Sequence, residues 1–411
     1  MSKPQPQHTD MAQFPVVNNC LQIGGMPVTD LAAKVGQTPF YAYDRQLMTD
    51  RVAELRRILP SGISLHYAMK ANPMPDVVNH FSTITDGLDV ASGGELKVAL
   101  ATGINPKEIS FAGPGKSNEE LEAAARAGII INLESEGEME RLSIIASTHD
   151  LNPVVSVRVN PDFELKTSGM KMAGGPKPFG VDAERVPEML KRIGELPFEF
   201  VGFHIFSGSQ NLKPDAIIEA QTKTFQLAIQ LAEHAPSPVR WLNIGGGFGI
   251  PYFPGEQRLD LQPIADNLEI LLKEYQPKLP EAEIVIELGR YLIGEAGVYV
   301  CEIIDVKESR GETFAIANGG LHHHLSLSGN FGQVIRKNYP VCIGNNVVSE
   351  DTAAVNIVGP LCTPLDILAN KYELPLLKTG DLVVVFQSGA YGFTASPRDF
   401  LSHPEARQIL V

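Results

Sequence analysis

The sequence predicts an α/β fold, a (β/α)₈ TIM barrel followed by a second, β-rich domain. Eight short apolar runs alternate with helical patterns between Tyr41 and Arg290, a spacing typical of parallel barrels. Each run is almost continuously apolar, as strands buried on both faces should be. After Arg290 the pattern changes to strands separated by Gly, Pro and Asn turns, with little helical periodicity.

The barrel elements can be placed in order along the chain. Helix starts are indicated by residues 117–120 (Ser-Asn-Glu-Glu) and 135–138 (Ser-Glu-Gly-Glu), which both fit the capping-box pattern. We expect one barrel strand in each apolar run. The runs are residues 63–69, 88–91, 109–112, 129–133, 154–159, 201–206, 241–244 and 284–287.

The β-rich domain is predicted to begin directly after the barrel, and the early strand-like stretch Cys20–Ile23 is expected to join it. Its other strand candidates are residues 297–306, 313–317, 353–358 and 381–387. The predicted organisation is therefore an N-terminal tail and strand at 1–38, the barrel at 39–291, and a β barrel or sandwich at 292–411. The glycine-rich stretch 168–180 is predicted to be a mobile loop.

Composition and charge exclude several classes of protein. The 411 residues are 44% hydrophobic and 20% charged, which is ordinary for a globular protein. A net charge of −14 argues against a surface for nucleic acid or anionic membranes. The polar N-terminal stretch lacks the apolar core of a signal peptide, and no apolar run could span a bilayer. Four cysteines in so long a chain do not form a disulfide framework, so a cytoplasmic protein is expected.

Residues that could take part in catalysis or ligand binding lie at the predicted C-terminal ends of the barrel strands, where such barrels have their active sites. Lys70 follows the first strand. Burial there should lower the pKa of its amine and make it a nucleophile that forms a Schiff base. The alternative is a lysine that reaches past the strand end into water. Other residues at this rim are Asp89, Ser92, Asn160, His204, Phe206, Ser209 and Gln210.

The glycine run at residues 245–249 follows the seventh strand and is predicted to cradle a phosphate. Residues without a Cβ let backbone N–H groups approach an anion. An isolated run of this kind is more often a plain turn, but the loops after strands seven and eight are the usual phosphate site of such barrels. Gly289 and Arg290, in the next loop, can complete the cradle.

Glu287 closes the eighth strand, and a buried carboxylate needs a partner. One partner is the pyridinium nitrogen of a cofactor, which a carboxylate keeps protonated so that the ring withdraws electrons. The other is an ion pair with Arg290 or another cation at the rim. Taken together, Lys70, the phosphate cradle and Glu287 define pyridoxal 5′-phosphate as the expected cofactor.

Short motifs along almost the whole chain occur in the order found in one family. They are residues 67–72, 89–96, 111–116, 158–161, 208–210, 245–249, 287–290, 359–362 and 389–392. With these motifs the chain resembles the diaminopimelate/ornithine decarboxylase family of fold-type III pyridoxal-phosphate enzymes, whose barrel is alanine racemase-like.

The resemblance implies a pyridoxal-phosphate-dependent amino acid α-decarboxylase that works as a homodimer with shared active sites. Lys70 would hold the cofactor as an internal aldimine, and Cys362 from the other subunit would protonate the quinonoid carbon after CO₂ leaves. The family's ring-stacking histidine falls at Phe206, two residues after His204, and the sequence leaves open which of the two stacks. The other implied cofactor residues are Asp89, Ser209, Gly246, Gly247, Glu287, Gly289, Arg290 and Tyr391, and the implied substrate contacts are Arg336, Tyr339 and Asp366.

One departure from the family pattern bears on the substrate. The family's Cys-Glu-Ser-x-Asp is Cys-Thr-Pro-Leu-Asp here, at residues 362–366, so the glutamate that contacts diaminopimelate is missing. The chain is similar in this respect to a divergent branch that includes the butirosin-pathway glutamyl–carrier-protein decarboxylase and exosortase-associated decarboxylases. For that branch the implied substrate is an aminoacyl group on an acyl carrier protein.

Two alternatives on the same fold are an amino acid racemase and a catalytically silent pyridoxal-phosphate-binding regulator. Racemases of this kind use a tyrosine as the second base, whereas the motif here offers Cys362. Retention of both Lys70 and Cys362 argues against a silent protein. The run His322-His323-His324 resembles a metal tract, but adjacent side chains rarely converge on one ion, so no metal is expected.

Overall fold

The computed structural model describes residues 6–163, 170–171, 173–329 and 336–411. The predicted mobile loop at 168–180 therefore lies partly outside the described residues. The chain divides into two compact units. One unit comprises Arg51–Gly249 and Leu259–Gly289, and the other comprises the residues up to Asp50, Ile250–Arg258 and Arg290–Val411.

Eight parallel strands close into a barrel in the first unit, which confirms the predicted (β/α)₈ fold. Each strand pairs with the next along the chain, and the last pairs with the first. Each of the eight apolar runs overlaps one of these strands. The strands are β1 (Ile63–Ala68), β2 (Gly87–Val90), β3 (Ile109–Phe111), β4 (Ile130–Leu133), β5 (Val154–Asn160), β6 (Glu199–Ile205), β7 (Trp241–Gly246) and β8 (Glu283–Leu288).

Helices connect successive barrel strands, and none in the described ranges is long and apolar enough to cross a lipid bilayer. A helix at Arg45–Ile58 precedes β1. The connecting helices are Pro75–Ile84, Gly93–Ala101, Asn118–Ala127, Glu136–His149, Val186–Ile193, Pro214–Ala232 and Gln262–Tyr275.

Of the two predicted capping boxes, one is complete and one is half formed. Ser117 Oγ accepts the N–H of Glu120 at 3.2 Å, and the Glu120 carboxylate accepts the N–H of Ser117 at 2.9 Å. Ser135 also accepts the N–H of Glu138, at 3.1 Å. The Glu138 carboxylate, however, accepts the N–H of Glu134 at 2.7 Å, because a buried ion pair draws it away from the cap.

Polar side chains form a chain of hydrogen bonds through the barrel interior. Ser110 Oγ donates to Asp89 at 2.5 Å, Asn132 Nδ2 donates to Ser110 Oγ at 3.4 Å, and Ser156 Oγ donates to Asn132. All four residues are buried. Neighbouring strands β2 to β5 are thereby linked inside the barrel as well as through their backbones, an arrangement that specifies strand order.

The buried ammonium of Lys116 ties the loop after β3 to the next strand and helix. Its Nζ donates to the carbonyl oxygens of Gly113 and Asn132, both at 2.8 Å, and to Glu138 at 2.9 Å. Lys116 is only 3% exposed. Its buried charge is tolerated because all three N–H donors of the ammonium group have acceptors.

We expect Lys116→Met to destabilise the protein by about 3–5 kcal/mol, because Glu138 would be left as a buried, unpaired carboxylate. The free energy of unfolding is measured by urea denaturation. Lys97→Met, at an exposed position of the helix Gly93–Ala101, is the matched control and should change stability by less than ~0.5 kcal/mol. Equal stability of the two variants would contradict a structural role for Lys116.

The second unit is a β domain built on an eight-stranded sheet, which confirms the predicted β-rich domain. Phe40–Tyr43 lies within this sheet, antiparallel to Gly297–Ser309 and parallel to Arg407–Leu410. The structure therefore differs from the predicted barrel start at residue 39. A short, fully buried aromatic strand has the same sequence pattern in either sheet, so the sequence does not reveal which sheet it joins. The remaining strands of the sheet are Glu312–Ala317, Val341–Ile343, Thr352–Val358, Ile367–Pro375 and Leu382–Val385.

The longest strand that the sequence did not predict is Ile367–Pro375. Lys371 within it has a left-handed backbone with φ of 47°, and its pairing with Thr352–Val358 shifts register nearby. These irregularities break the period-two pattern by which strands are recognised.

Cys20–Ile23 belongs to a separate three-stranded sheet with Val16–Val17 and Met26–Pro27. Leu21 and Ile23 are buried in an apolar cluster with residues of the larger sheet, including Phe40, Val298 and Val384. This stretch therefore joins the β domain through side-chain packing rather than as a strand of the eight-stranded sheet.

Candidate active site

Lys70 lies just beyond the C-terminal end of β1, in a 3₁₀ turn at Met69–Ala71. Met69 and Ala71 are buried, but Lys70 is exposed, which corrects the predicted burial of this lysine. The chain leaves the strand before Lys70, so the neighbouring strands no longer enclose its side chain. Its Nζ lies 5.5 Å from the centre of the Phe206 ring. The amine is therefore accessible and lies beside an aromatic face.

Glu287 ends β8 as a buried carboxylate. Asn243 Nδ2 donates to its Oε2 at 3.0 Å, and His204 Nε2 lies 3.0 Å from the same oxygen without the alignment of a hydrogen bond. Burial alone would raise the pKa of Glu287, but His204, Lys70 and Arg158 outweigh burial and hold the pKa well below its usual range. The carboxylate is therefore ionised at neutral pH.

Asn243 is absent from the residues that the sequence predicts for this site. Its Oδ1 accepts the N–H of Gly245 at 2.7 Å, so one buried amide links the Glu287 carboxylate to the glycine run. An asparagine inside an otherwise apolar strand, two positions before the first glycine, is the signal that points to it.

The glycine run at residues 245–249 is packed closely against neighbouring backbone. A Cβ at Gly247, where φ is 75°, would lie 2.2 Å from the carbonyl oxygen of Gly208. A Cβ at Gly246 would lie 2.2 Å from the carbonyl oxygen of Glu287. Both positions therefore require glycine, one of them for its backbone conformation as well.

The loop after β6 pairs with the glycine run and carries Ser209. The N–H of Asn211 donates to the carbonyl of Gly247 at 3.0 Å, and the N–H of Gly249 donates to the carbonyl of Asn211 at 2.9 Å. Ser209 Oγ is buried and lacks a hydrogen-bond partner within the described parts of the chain. A partnerless hydroxyl beside closely packed glycines suits an anion such as phosphate, so the residues present fit the expected cofactor.

Two further predicted cofactor residues lie in the same unit. Asp89 Oδ1 accepts from Ser110 at 2.5 Å and lies 3.3 Å from His66 Nδ1, while its Oδ2 has no partner among the residues described. Burial alone would lower the pKa of His66, but Asp89 outweighs burial and raises it. Gly289 follows β8, and a Cβ there would lie 2.9 Å from the carbonyl oxygen of Ala68.

A buried ion pair between Arg158 and Glu134 holds loops of the same unit together. Arg158 Nη1 donates to Glu134 at 2.8 Å, and Glu134 also accepts the N–H groups of Gly113 at 2.5 Å and Gly180 at 3.2 Å. Burial alone would raise the pKa of Glu134, but Arg158 and Lys116 outweigh it and lower the pKa. The sequence places Arg158 in a family motif but gives no indication of its partner.

In the second unit, the structure brings the predicted residues Arg290, Tyr391 and Tyr339 together. The Arg290 guanidinium lies 4.7 Å from the centre of the Tyr391 ring and donates to the hydroxyl of Tyr252 at 2.7 Å. The ring centres of Tyr252 and Tyr339 are 4.8 Å apart. Tyr252, which the sequence did not single out, therefore connects the two predicted groups.

Asp366 braces two loops of the second unit. It is 2% exposed, and its oxygens accept the N–H groups of Leu321 at 2.6 Å and Leu361 at 2.9 Å. Both oxygens therefore hold backbone donors, and the substrate contact of Asp366 stays a prediction.

Arg336 has a buried nitrogen without a partner among the described residues, and Cys362 is exposed. Arg336 Nη2 donates to the carbonyl of Ile367 at 2.9 Å, and its buried Nε has no hydrogen-bond partner in the described ranges. Cys362 is the exposed member of the four free cysteines. Burial holds the pKa of the Cys301 thiol well above its usual range, so that cysteine is suited to packing only.

The three adjacent histidines are buried in the second unit. His324 Nε2 lies 3.0 Å from Ser388 Oγ, and Tyr41 donates its hydroxyl proton to the carbonyl of His323. Burial lowers the pKa of His324 to about 3. Within the described residues, His322, His323 and His324 belong to no group of ligand atoms close enough to share an ion.

Comparisons with known proteins agree with this geometry. A family model described as "Pyridoxal-dependent decarboxylase, pyridoxal binding domain" matches residues 45–294. The L-glutamyl-[BtrI acyl-carrier protein] decarboxylase of Niallia circulans is 37% identical over 380 residues, which cover 91% of this chain and 89% of that protein. The diaminopimelate decarboxylase of Aquifex aeolicus is 32% identical over 394 residues, which cover 95% and 90%. The crystal structure of Helicobacter pylori diaminopimelate decarboxylase complexed with L-lysine matches with a TM-score of 0.83 at 26% identity, covering 93% of this chain and 94% of that one.

We expect Gly247→Ala to raise the Kd for pyridoxal 5′-phosphate about tenfold or more, since the new Cβ would overlap the Gly208 carbonyl and displace the loop. The Kd is measured by titrating the apoprotein with the cofactor and following visible absorbance. Gly103→Ala is the matched control, because φ there is 78° but a Cβ meets nothing within 4 Å. Wild-type affinity in Gly247→Ala would contradict a cradle at this loop.

Proposed function

Because this chain belongs to the pyridoxal-dependent decarboxylase family, we propose that it removes the α-carboxyl group of an aminoacyl substrate held on an acyl carrier protein. The broader activity follows from the family and from the named relatives: the chain is a pyridoxal-phosphate-dependent amino acid decarboxylase. This class of reaction is favoured over the racemase and the silent regulator that the sequence left as alternatives.

The observation that carries the finer proposal is the loop at residues 362–366. A free diamino acid presents a charged ammonium group at its far end, which a carboxylate would best receive. The loop offers Thr363, Pro364 and an exposed Leu365 there, and both oxygens of Asp366 bind backbone. A neutral, amide-containing arm of a carrier protein suits this loop better. The relative from Niallia circulans is named for a glutamyl group on a carrier protein.

Pyridoxal phosphate supplies a ring that takes up the electron pair released when CO₂ departs. We assign Lys70 to hold this cofactor covalently through its accessible amine. Glu287, ionised and fixed by Asn243, would keep a proton on the ring nitrogen. Phe206 is our choice for the residue that stacks on the ring, because its face lies beside Lys70, whereas His204 lies against Glu287.

The phosphate group would be bound by the glycine run and its neighbours. Ser209 contributes a buried hydroxyl that lacks a partner within the described residues, and Gly246, Gly247 and Gly289 allow backbone to approach closely. Asp89, Arg290 and Tyr391 remain proposed cofactor residues on the basis of the family resemblance. Arg336 and Tyr339 remain the proposed substrate contacts, with Arg336 Nε free to bind a carbonyl or carboxylate oxygen.

Cys362 is the proposed proton donor to the α-carbon after CO₂ leaves. Its exposure makes the thiol accessible to a substrate, and a thiol can transfer a proton near neutral pH. By the family resemblance, the thiol would come from the second subunit of a homodimer. We place the reaction in the cytoplasm, where four free cysteines persist as thiols.

We expect Cys362→Ala to lower kcat by about 10²–10⁴-fold, the usual contribution of a positioned general acid, while cofactor binding is retained. The measurement is CO₂ release together with the visible absorbance of the bound cofactor. Cys20→Ala, which removes a partly exposed cysteine from the small N-terminal sheet, is the control and should keep wild-type kcat.

A mixture of Lys70→Ala and Cys362→Ala chains tests whether the site is shared. A heterodimer would contain one intact site, so mixing should restore activity that neither variant shows alone. Wild-type kcat in Cys362→Ala would contradict its role as proton donor, and a mixture without restored activity would contradict sharing.

The substrate is tested by comparing CO₂ release from glutamyl–carrier protein, free glutamate and free meso-diaminopimelate. We expect kcat/KM to be higher for the carrier-bound group by about 10²-fold or more, since the arm supplies binding energy that free amino acids lack. A clear preference for free diaminopimelate would overturn the carrier proposal but leave the decarboxylase class intact.

A further inference from the structure

Three side chains that commonly bind metals meet at the N-terminal end of the barrel. One ligand atom each of His66, Glu108 and Glu283 lies within 4.8 Å of the others. Glu283 begins β8 and Glu108 directly precedes β3, at the opposite end of the barrel from Lys70 and the glycine run, and His66 reaches them from within β1. We propose that these three residues bind a divalent transition-metal ion of the zinc class.

His66 is prepared to be a ligand through one of its two ring nitrogens. Its Nδ1 lies 3.3 Å from Asp89, which is itself fixed by the hydroxyl of Ser110 at 2.5 Å. A carboxylate on one ring nitrogen fixes the tautomer and leaves the other nitrogen as the ligand, as in many zinc sites. His66 is 1% exposed, and its Nε2 has no hydrogen-bond partner in the described part of the chain. Such a buried nitrogen is costly unless something binds it.

Gly87 provides the space in front of this nitrogen. A Cβ at Gly87 would lie 2.4 Å from His66 Nε2 and 2.5 Å from the carbonyl oxygen of Glu108. Gly87 is also the β2 residue paired with His66 of β1. The Nε2 edge of the imidazole therefore faces the side of the barrel that carries Glu108, and only glycine at this position leaves it open.

The two carboxylates of the group, Glu108 and Glu283, give it a negative charge that favours a cation. Asp86 is neutralised by Arg56 at 2.5 Å, and Ser64 donates a hydrogen bond to Glu283. The carboxylates of Glu108 and Glu283 lie within 4.8 Å of each other and repel, and burial together with this neighbouring charge raises the pKa of Glu108. A bound ion would offset this repulsion and satisfy the imidazole at the same time.

The ligand set selects the kind of ion. One imidazole and two carboxylates suit zinc and its first-row neighbours, whereas magnesium and calcium prefer oxygen ligands alone. Ligands about 2.1 Å from a zinc ion lie roughly 3.4 Å apart, so the atoms of this group, which lie within 4.8 Å of one another, must approach by up to about 1.4 Å. Glu108 is half-buried and Glu283 is exposed, so their side chains can rotate to close this distance. Water would fill the remaining position.

The ion would act as a clamp between β8, β1 and the segment that leads into β3. Residues at the N-terminal face of such barrels serve stability, and the cofactor residues lie at the other face. This inference departs from the expectation of no metal, which considered only the three adjacent histidines. It does not depend on the proposed substrate.

The test uses the tag-free holoenzyme, stripped with a chelator, and isothermal titration with zinc chloride. We expect about one tight equivalent per chain, with Kd raised about tenfold or more in Glu108→Gln and in Glu283→Gln. Zinc should also raise the Tm of the wild type more than that of either variant. Glu199→Gln is the matched control, because Glu199 begins β6 at the same end of the barrel but pairs with Arg240 at 2.6 Å.

Each outcome decides the proposal. Loss of the tight equivalent in both glutamine variants, with wild-type binding in Glu199→Gln, would support the site. Zinc binding that is unchanged in Glu108→Gln and Glu283→Gln would place the ion elsewhere and overturn the proposal. Absence of tight binding in the wild type would overturn it as well. Far-UV circular dichroism of the metal-free variants confirms that the amide substitutions leave the fold intact.

Discussion

Glu287 must remain ionised while buried, and this requirement accounts for much of the structure around it. Burial favours the neutral form, so the carboxylate depends on His204, on charge from Lys70 and Arg158, and on the amide of Asn243. Asn243 has a second task, since the same side chain fixes the first residue of the glycine run. Asn243, in the middle of a strand, therefore positions both Glu287, the proposed partner of the cofactor ring, and the glycine run that is predicted to hold its phosphate.

The same solution recurs at two other buried charges of the barrel, Lys116 and Glu134. Lys116 has acceptors for all three of its ammonium protons. Glu134 accepts hydrogen bonds from Arg158 and from two backbone N–H groups. Each network connects a strand end to the loop beyond it. Such supports position a site through buried hydrogen bonds and ion pairs behind it. His66, buried with one nitrogen lacking a described partner, departs from this pattern.

The barrel was predictable because strands buried on both faces leave continuous apolar runs, and parallel closure then gathers their C-terminal residues at one rim. Features that depend on contacts distant in sequence were not. The exposure of Lys70 is decided by a single 3₁₀ turn, and the backbone contact of Asp366 by a donor at Leu321. The aromatic run Phe40–Tyr43 is equally compatible with either sheet until its partner strands are known.

The pairing of Phe40–Tyr43 also constrains how the protein is made. Its neighbours in the sheet are Gly297–Ser309 and Arg407–Leu410, so this aromatic strand leaves the ribosome long before either partner exists. At about 5–20 residues per second, the wait lasts tens of seconds, during which all eight barrel strands are completed. Throughout that time the nascent chain carries an unpaired, aggregation-prone edge. Until those partners are synthesised, this strand has to be kept from pairing with other chains.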